Sequence, residues 1–208
     1  MKKVVAIIIT VLLLISVSVV QAEIMPALDL ERNSSFYSLP GPNVRTSGWE
    51  FSVSEDLAVV GVGIFDLEQD PYTPGLMVPH DIGVWHLGEL IYSTTIPAGT
   101  EGKLIDQFRY IEIDPLWLTE GETYVIGAVL NGDPLVGTSS FTRITTIPSV
   151  IYERTLISSS NSGFVLPTIE QENYLLGPNF LVIPEPMAIL LLGAGGLLVR
   201  MRANRKSR

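Results

Sequence analysis

Trp49-Glu50-Phe51-Ser52-Val53-Ser54-Glu55-Asp56-Leu57-Ala58-Val59-Val60-Gly61-Val62-Gly63-Ile64 carries two strand patterns in succession. Trp49, Phe51 and Val53 alternate with Glu50 and Ser52. A period of two sends alternate side chains to opposite faces, so this half reads as a strand with one buried face. In the second half Leu57, Val59 and Gly61 interleave with Val60, Val62 and Ile64. That run is apolar on both faces, as a strand in the middle of a sheet has to be. The polar Ser54-Glu55-Asp56 between the two reads as their connection.

The same grammar continues along the chain. Ile82-Gly83-Val84-Trp85, Leu90–Thr95, Phe108–Ile113 and Tyr124–Leu130 are rich in β-branched and aromatic residues, which favour strand. Asn131-Gly132 follows directly as a tight-turn signal. Weaker strand patterns lie at Phe141–Thr146, Val150–Tyr152, Phe164–Leu166 and Phe180–Ile183, and Ser158–Ser162 reads as a loop. Gly41-Pro42, Pro71, Pro74-Gly75, Pro97, Pro115 and Gly177-Pro178 punctuate the gaps. No segment between the termini sustains a 3.6-residue apolar period. Short strands at intervals of about 8–12 residues predict an all-β fold, a β-sandwich or jelly roll, in one domain.

Both ends of the chain are different in kind. Lys2 and Lys3 precede an apolar run from Val4 to Val20, and Val20-Gln21-Ala22 is a small-x-small site before Glu23. This pattern predicts a signal peptide over 1–22 with cleavage after Ala22; the plain alternative is an uncleaved anchor. At the other end Pro184-Glu185-Pro186 precedes an apolar run, Met187–Val199, and then Arg200, Arg202, Arg205, Lys206 and Arg208. As a helix that run would reach about 20 Å, short of a hydrocarbon core of about 30 Å. Flanking Arg side chains could snorkel to extend it, and the positive-inside rule holds the basic end in the cytoplasm. Lysines at one end and arginines at the other predict that everything between them is exported.

The order of a Pro-Glu-Pro signature, a short apolar helix and a terminal Arg cluster resembles the PEP-CTERM sorting signal of exported Gram-negative bacterial proteins. The resemblance implies a substrate of exosortase, a membrane-embedded transpeptidase-like enzyme. It assigns residues 184–208 to sorting, with Pro184, Glu185, Pro186, Arg200 and Arg202 as its site. The implied location is a transient inner-membrane anchor, then the cell surface or extracellular space. Residues 23–183 are in turn similar to a group of uncharacterised exported bacterial β-sandwich domains. That likeness runs from Gly48-Trp49-Glu50-Phe51 through His80-Asp81-Ile82-Gly83-Val84-Trp85 and Phe108-Arg109-Tyr110 to Gly177-Pro178-Asn179-Phe180, and it implies the fold alone.

Residues 23–183 hold 21 Asp and Glu against six Lys and Arg, a net charge of −15. Nucleic acid and anionic polysaccharide need a cationic face and are excluded as electrostatic partners. The chain has no cysteine, so disulfides, thiolate metal sites and Cys nucleophiles are excluded as well. It has two histidines, His80 and His86, and no G-x-S-x-G elbow for a serine nucleophile. On one strand the two imidazoles would stand about 20 Å apart and cannot share a metal, so both read as turn and edge residues.

Two groups of residues remain as candidates. Asp66, Glu68 and Asp70 at i, i+2 and i+4 would share the solvent-facing side of an extended segment and could offer oxygen ligands to Ca²⁺, although Pro71 stands where an EF-hand needs glycine. Trp49 and Trp85 fall among core aliphatics, whereas Trp117, in Asp114-Pro115-Leu116-Trp117-Leu118, is expected near the surface as a ligand platform. The leading functional expectation is a non-enzymatic structural or binding protein of the surface or matrix, with no obligatory cofactor. Its expected partners are exosortase and the inner membrane during export, then exopolysaccharide or other surface proteins. The alternative is a carbohydrate-binding module for a neutral glycan with a structural Ca²⁺, and behind it a secreted hydrolase.

Overall fold

The alternating run around Trp49 forms β4 (Arg45–Val53), and the doubly apolar run after it forms β5 (Leu57–Phe65). Trp49, Phe51 and Val53 are buried and Glu50 and Ser52 half-buried, whereas β5 is buried at every position but Val60. The two strands belong to different sheets. The computed structural model describes residues 24–31, 37–38, 44–66, 74–133, 135–136, 143–159, 162–171 and 177–184, and no helix occurs among them. The expected signal peptide with Ala22, and Glu185, Pro186, Arg200, Arg202, Glu68 and Asp70, lie outside the described residues.

β5 is the central strand of a five-stranded antiparallel sheet. Its neighbours run in the order β1 (Met25–Pro26), β15 (Pro178–Pro184), β5, β9 (Phe108–Leu118) and β8 (Lys103–Ile105). β4 belongs to a six-stranded sheet ordered β14 (Ile169–Glu170), β13 (Val150–Ile157), β4, β10 (Thr123–Leu130), β6 (His80–His86) and β7 (Glu89–Ile96). Two short ribbons complete the fold: β2 (Leu28–Glu31) with β12 (Arg143–Thr146), and β3 (Tyr37–Ser38) with β11 (Leu135–Val136). A compact unit runs from Ile24 to Glu185.

One core joins the two large sheets, an arrangement consistent with a β-sandwich. Trp49 on β4 stacks on Phe180 of β15 with ring centroids 5.5 Å apart, and Phe51 meets the same ring at 4.8 Å. The buried Trp49 Nε1–H donates to the Pro178 carbonyl at 2.9 Å, which satisfies the one polar group of the indole. Asn179, buried beside it, seals β2 onto the sheet. Its Oδ1 accepts from Leu28 N at 3.2 Å and its Nδ2 donates to Leu28 O at 2.7 Å.

Two departures from the sequence reading have local causes. The strand begun by Phe108 runs on through Pro115 to Leu118. Its pairing with β5 breaks between Glu112 and Leu116, so Pro115 sits where no ladder hydrogen bond is required. Phe164–Leu166, expected as a strand, is not one; it crosses a sheet face instead of joining an edge, as set out below.

Register also fixes which end of the body each connection occupies. Pro184 pairs with Leu57 and Leu57 with Leu118, while Thr123 pairs with Ser52 and Tyr124 with His86. The connections 54–56, 87–88 and 119–122 therefore share one end. Met25 pairs with Val182, so Ile24 and Pro184 both leave from that end too.

Tyr110 on β9 lies over Gly63 of β5, where an added Cβ would fall 2.3 Å from its ring. Its hydroxyl is buried without a hydrogen-bond partner. Burial, reinforced by the charges of Asp106 and Asp29, pushes the phenol pKa well above its ordinary value. A raised pKa means the unfolded chain loses the proton first, so stability falls as pH climbs past about 10. Tyr110→Phe, which removes an unpaired buried hydroxyl, is expected to be at least as stable at neutral pH and to lose less stability above pH about 10. Urea midpoints measured across the alkaline range check this.

Candidate functional site

Gly48, Gly127 and Gly83 stand in register on the adjacent strands β4, β10 and β6. Glycine weakens a strand interior, and three in a row across a sheet mark a close approach. A Cβ at Gly127 would fall 2.9 Å from Thr46 Cγ2, and one at Gly83 would fall 2.8 Å from both Phe164 Cζ and Leu90 Cδ1. At Gly48 it would collide with the Ile126 carbonyl at 1.8 Å. The row makes a trough on the face of the six-stranded sheet turned away from the core.

The Trp85 ring and a strap, residues 162–171, fill part of that trough. Phe164 packs on Trp85 with centroids 5.4 Å apart, and Pro167 reaches over Gly127. Thr46 clamps the strap: its Oγ1 donates to Gly163 O at 2.8 Å and accepts from Val165 N at 3.0 Å. Thr46 N donates to Ser158 Oγ at 2.9 Å, and Ser162 Oγ donates to the same Ser158 Oγ at 2.6 Å. Ser158 and Ser162, read from sequence as loop, thus tie the loop down at its ends.

Beside the strap the trough stays open as a groove of ≈ 310 Å³, near the small end of the range for ligand pockets. Thr123, Val125 and Trp85 form its floor, Leu166 and Pro167 one wall, and Leu87 with Gly88 the other. Glu50 and Arg154 also line it, and their side chains pair at 2.7 Å; Arg154 reaches Glu170 at 3.3 Å as well. The hydrogen bond and charge of Glu50, then the hydrogen bond of Glu170, raise the Arg154 pKa above its ordinary value.

The wall residue Leu87 is unusual. The β6–β7 turn has φ of +51° at Leu87 and +86° at Gly88, the backbone that Asn-Gly adopts without strain. An L-residue with a bulky side chain is disfavoured there, and Leu87 is 84% exposed. So exposed a side chain gains little from burial to offset that cost.

The residues singled out from sequence are dispersed. Trp117 is on the surface as expected, 50% exposed, but on β9 of the other sheet. It is the one exposed aromatic side chain among the described residues, so they carry no aromatic strip. Trp49 and Trp85 are buried, Trp85 under the strap rather than between the sheets. Asp66, expected on a solvent-facing acidic side, is buried, and its Oδ2 accepts from Arg109 Nε at 2.5 Å. Arg109 Nη1 also donates to Gly102 O at 2.8 Å, so a cation would have to displace a buried guanidinium to reach this carboxylate. Among the described residues no three His, Asp or Glu side chains are grouped to hold a metal.

The histidines stand at opposite ends of β6. His86 is near its expected role: it faces Glu122 at 3.1 Å and stacks on Tyr124. His80 is not a turn or edge residue. It is fully buried, with Nδ1 2.8 Å from Val129 O and Nε2 2.8 Å from Asp133 Oδ2. A carbonyl can only accept, so Nδ1 carries a proton, and a further proton lies between Nε2 and the carboxylate. Asp133 also accepts from Met77 N at 2.8 Å and Val78 N at 3.2 Å, which ties segment 74–79 to the end of β10. Both members of the pair are buried from solvent.

Comparison with known proteins finds no matching family model and no matching curated relative. Sequence reading missed the groove because its residues come from five separate segments. The internal glycines Gly48, Gly83 and Gly127 were the signal that could have marked the face.

His80→Ala is expected to cost about 3–5 kcal/mol of stability, because it removes one partner of a buried pair and leaves the Asp133 carboxyl without its contact to Nε2. Urea unfolding at neutral pH measures it; a loss under about 1 kcal/mol would mean the pair contributes little.

Proposed function

We propose that the chain is an exported, non-enzymatic binding or structural domain, a β-sandwich over residues 23–183, sorted by its C-terminal PEP-CTERM segment and freed to the surface. The signal peptide over 1–22 and the sorting segment over 184–208 remain part of this reading. The observation that carries it is the shared exit of Ile24 and Pro184 from one end of the two-sheet body. A domain held by a leader on one side and a sorting helix on the other needs both exits to face the same membrane.

The character of that end supports the same reading. Glu55, Asp56, Glu89, Glu120 and Glu122 lie in or beside its connections, and no Lys or Arg does among the described residues. Arg45, Lys103, Arg109, Arg143 and Arg154 all sit at mid-strand or toward the opposite end. An acidic end is repelled by anionic headgroups. The body would stand off the bilayer and leave Pro184, the last residue of β15, and the Glu185-Pro186 next in sequence open to a membrane protease. Prolines at 184 and 186 withhold two backbone donors and favour an extended segment there. The glycan-binding alternative gains nothing from Trp117 alone, and the closed His80–Asp133 pair gives a hydrolase no foothold.

Intact-mass analysis of the protein purified from its native host tests the proposal. The mature form is expected to lack residues 1–22 and those beyond about 186, with the last position set by the extended segment. Glu185→Ala, or removal of the basic tail from Arg200 onward, is expected to leave an unprocessed membrane-bound form. Finding Arg208 still attached on normally delivered protein would replace sorting by a plain anchor.

A further inference from the structure

The groove on the outer face combines three features: the half-buried aliphatic side chains of Val125 and Leu166, an exposed leucine held in a disfavoured backbone, and the carboxylate of Glu50. We infer that it binds an extended segment of another polypeptide in which a bulky aliphatic residue stands next to a lysine or arginine, with Leu87 as a docking residue. The inference rests on the binding half of the function proposed above. It is independent of where the chain is processed.

The apolar side is set by Val125, Trp85, Leu166 and Pro167, with Leu87 standing proud of the surface opposite the strap. An aliphatic side chain laid between Leu87 and the half-buried Leu166 would cover both. The volume of ≈ 310 Å³ admits a short segment and no more. Charge selects the neighbour. Arg154 is the one cation at the rim and is held between Glu50 and Glu170, so the trio carries one surplus negative charge. The surrounding domain, with 21 acids against six bases, adds a field that attracts cations. A lysine or arginine reaching Glu50 is complementary to both. A sugar ring is the weaker fit, because Trp85 is 4% exposed and presents no open ring face.

Leu87 supplies the argument that separates binding from architecture. In this turn asparagine would be the stabilising choice, so leucine at position 87 runs against the preference of the backbone. Strain kept at an exposed position points to recognition.

The test uses the full chain in detergent micelles, with amide NMR spectra recorded against three probes. These are a capped Ser-Leu-Lys-Ser peptide, its Ser-Leu-Glu-Ser counterpart and a neutral glucose tetramer. The Leu-Lys peptide is expected to shift the Gly88, Thr123 and Val125 amides with a Kd of about 1 mM or tighter, given so small a contact, and to weaken as salt screens the charge. Leu87→Asn is expected to raise the thermal midpoint or leave it unchanged while weakening the peptide at least roughly fivefold. Glu50→Gln is expected to erase the preference for Leu-Lys over Leu-Glu. Unchanged binding by Leu87→Asn, equal response to both peptides, or response to the sugar alone would overturn the inference. Concentration-dependent shifts without any probe would hand the groove to a second copy and overturn it equally.

Discussion

Everything in this fold hangs on the contact between Trp49 and Phe180. The indole belongs to the six-stranded sheet and the phenyl ring to the five-stranded one, so their stacking is the seam between the layers. A large aromatic pair contributes both buried area and a preferred geometry. The indole N–H would be a liability at that depth, and the Pro178 carbonyl removes it. With no disulfide to brace the layers, this seam and the aliphatic core around it must hold them together.

The second organising device is subtraction. The row of Gly48, Gly127 and Gly83 removes side chains from the outer face, and the strap uses the depth so created. Trp85 lies down in the trough instead of standing into solvent, and Thr46 fixes the strap through its hydroxyl as both donor and acceptor. The groove beside it is a consequence of how far the strap reaches. Where Pro167 and Leu166 stop, the face is left open as far as the Leu87 turn.

Much of the fold was legible from periodicity, and the exceptions are instructive. The alternation in β4 and the doubly apolar β5 identified a half-buried and a central strand because local pattern and burial coincide there. Phe164–Leu166 carried strand-like composition yet serves as a cover, since packing on Trp85 satisfies the same side chains without a ladder. Asp66 looked like a surface acid because its partner Arg109 is 43 residues away in sequence. His80 misled for the same reason: Asp133 meets it only across the fold. The candidate groove was the least legible feature, because a trough is defined by what five distant segments omit, and omission has no local signature beyond internal glycines.

The position of β15 has a consequence for the order of events during folding. It is the last strand among the described residues, yet it lies inside the five-stranded sheet, between β1 and β5. It also brings Phe180 to the seam, Asn179 to the Leu28 clasp and Pro178 to the indole. A chain emerging from its N-terminus can pair β5 with β9 early, but β1 has no neighbour and the layers have no seam until residues 178–184 appear. Closure of the domain is thus timed to the arrival of the segment immediately before Pro184-Glu185-Pro186. The two-sheet body is therefore completed only by its last described residues, directly before the segment proposed above as a sorting signal.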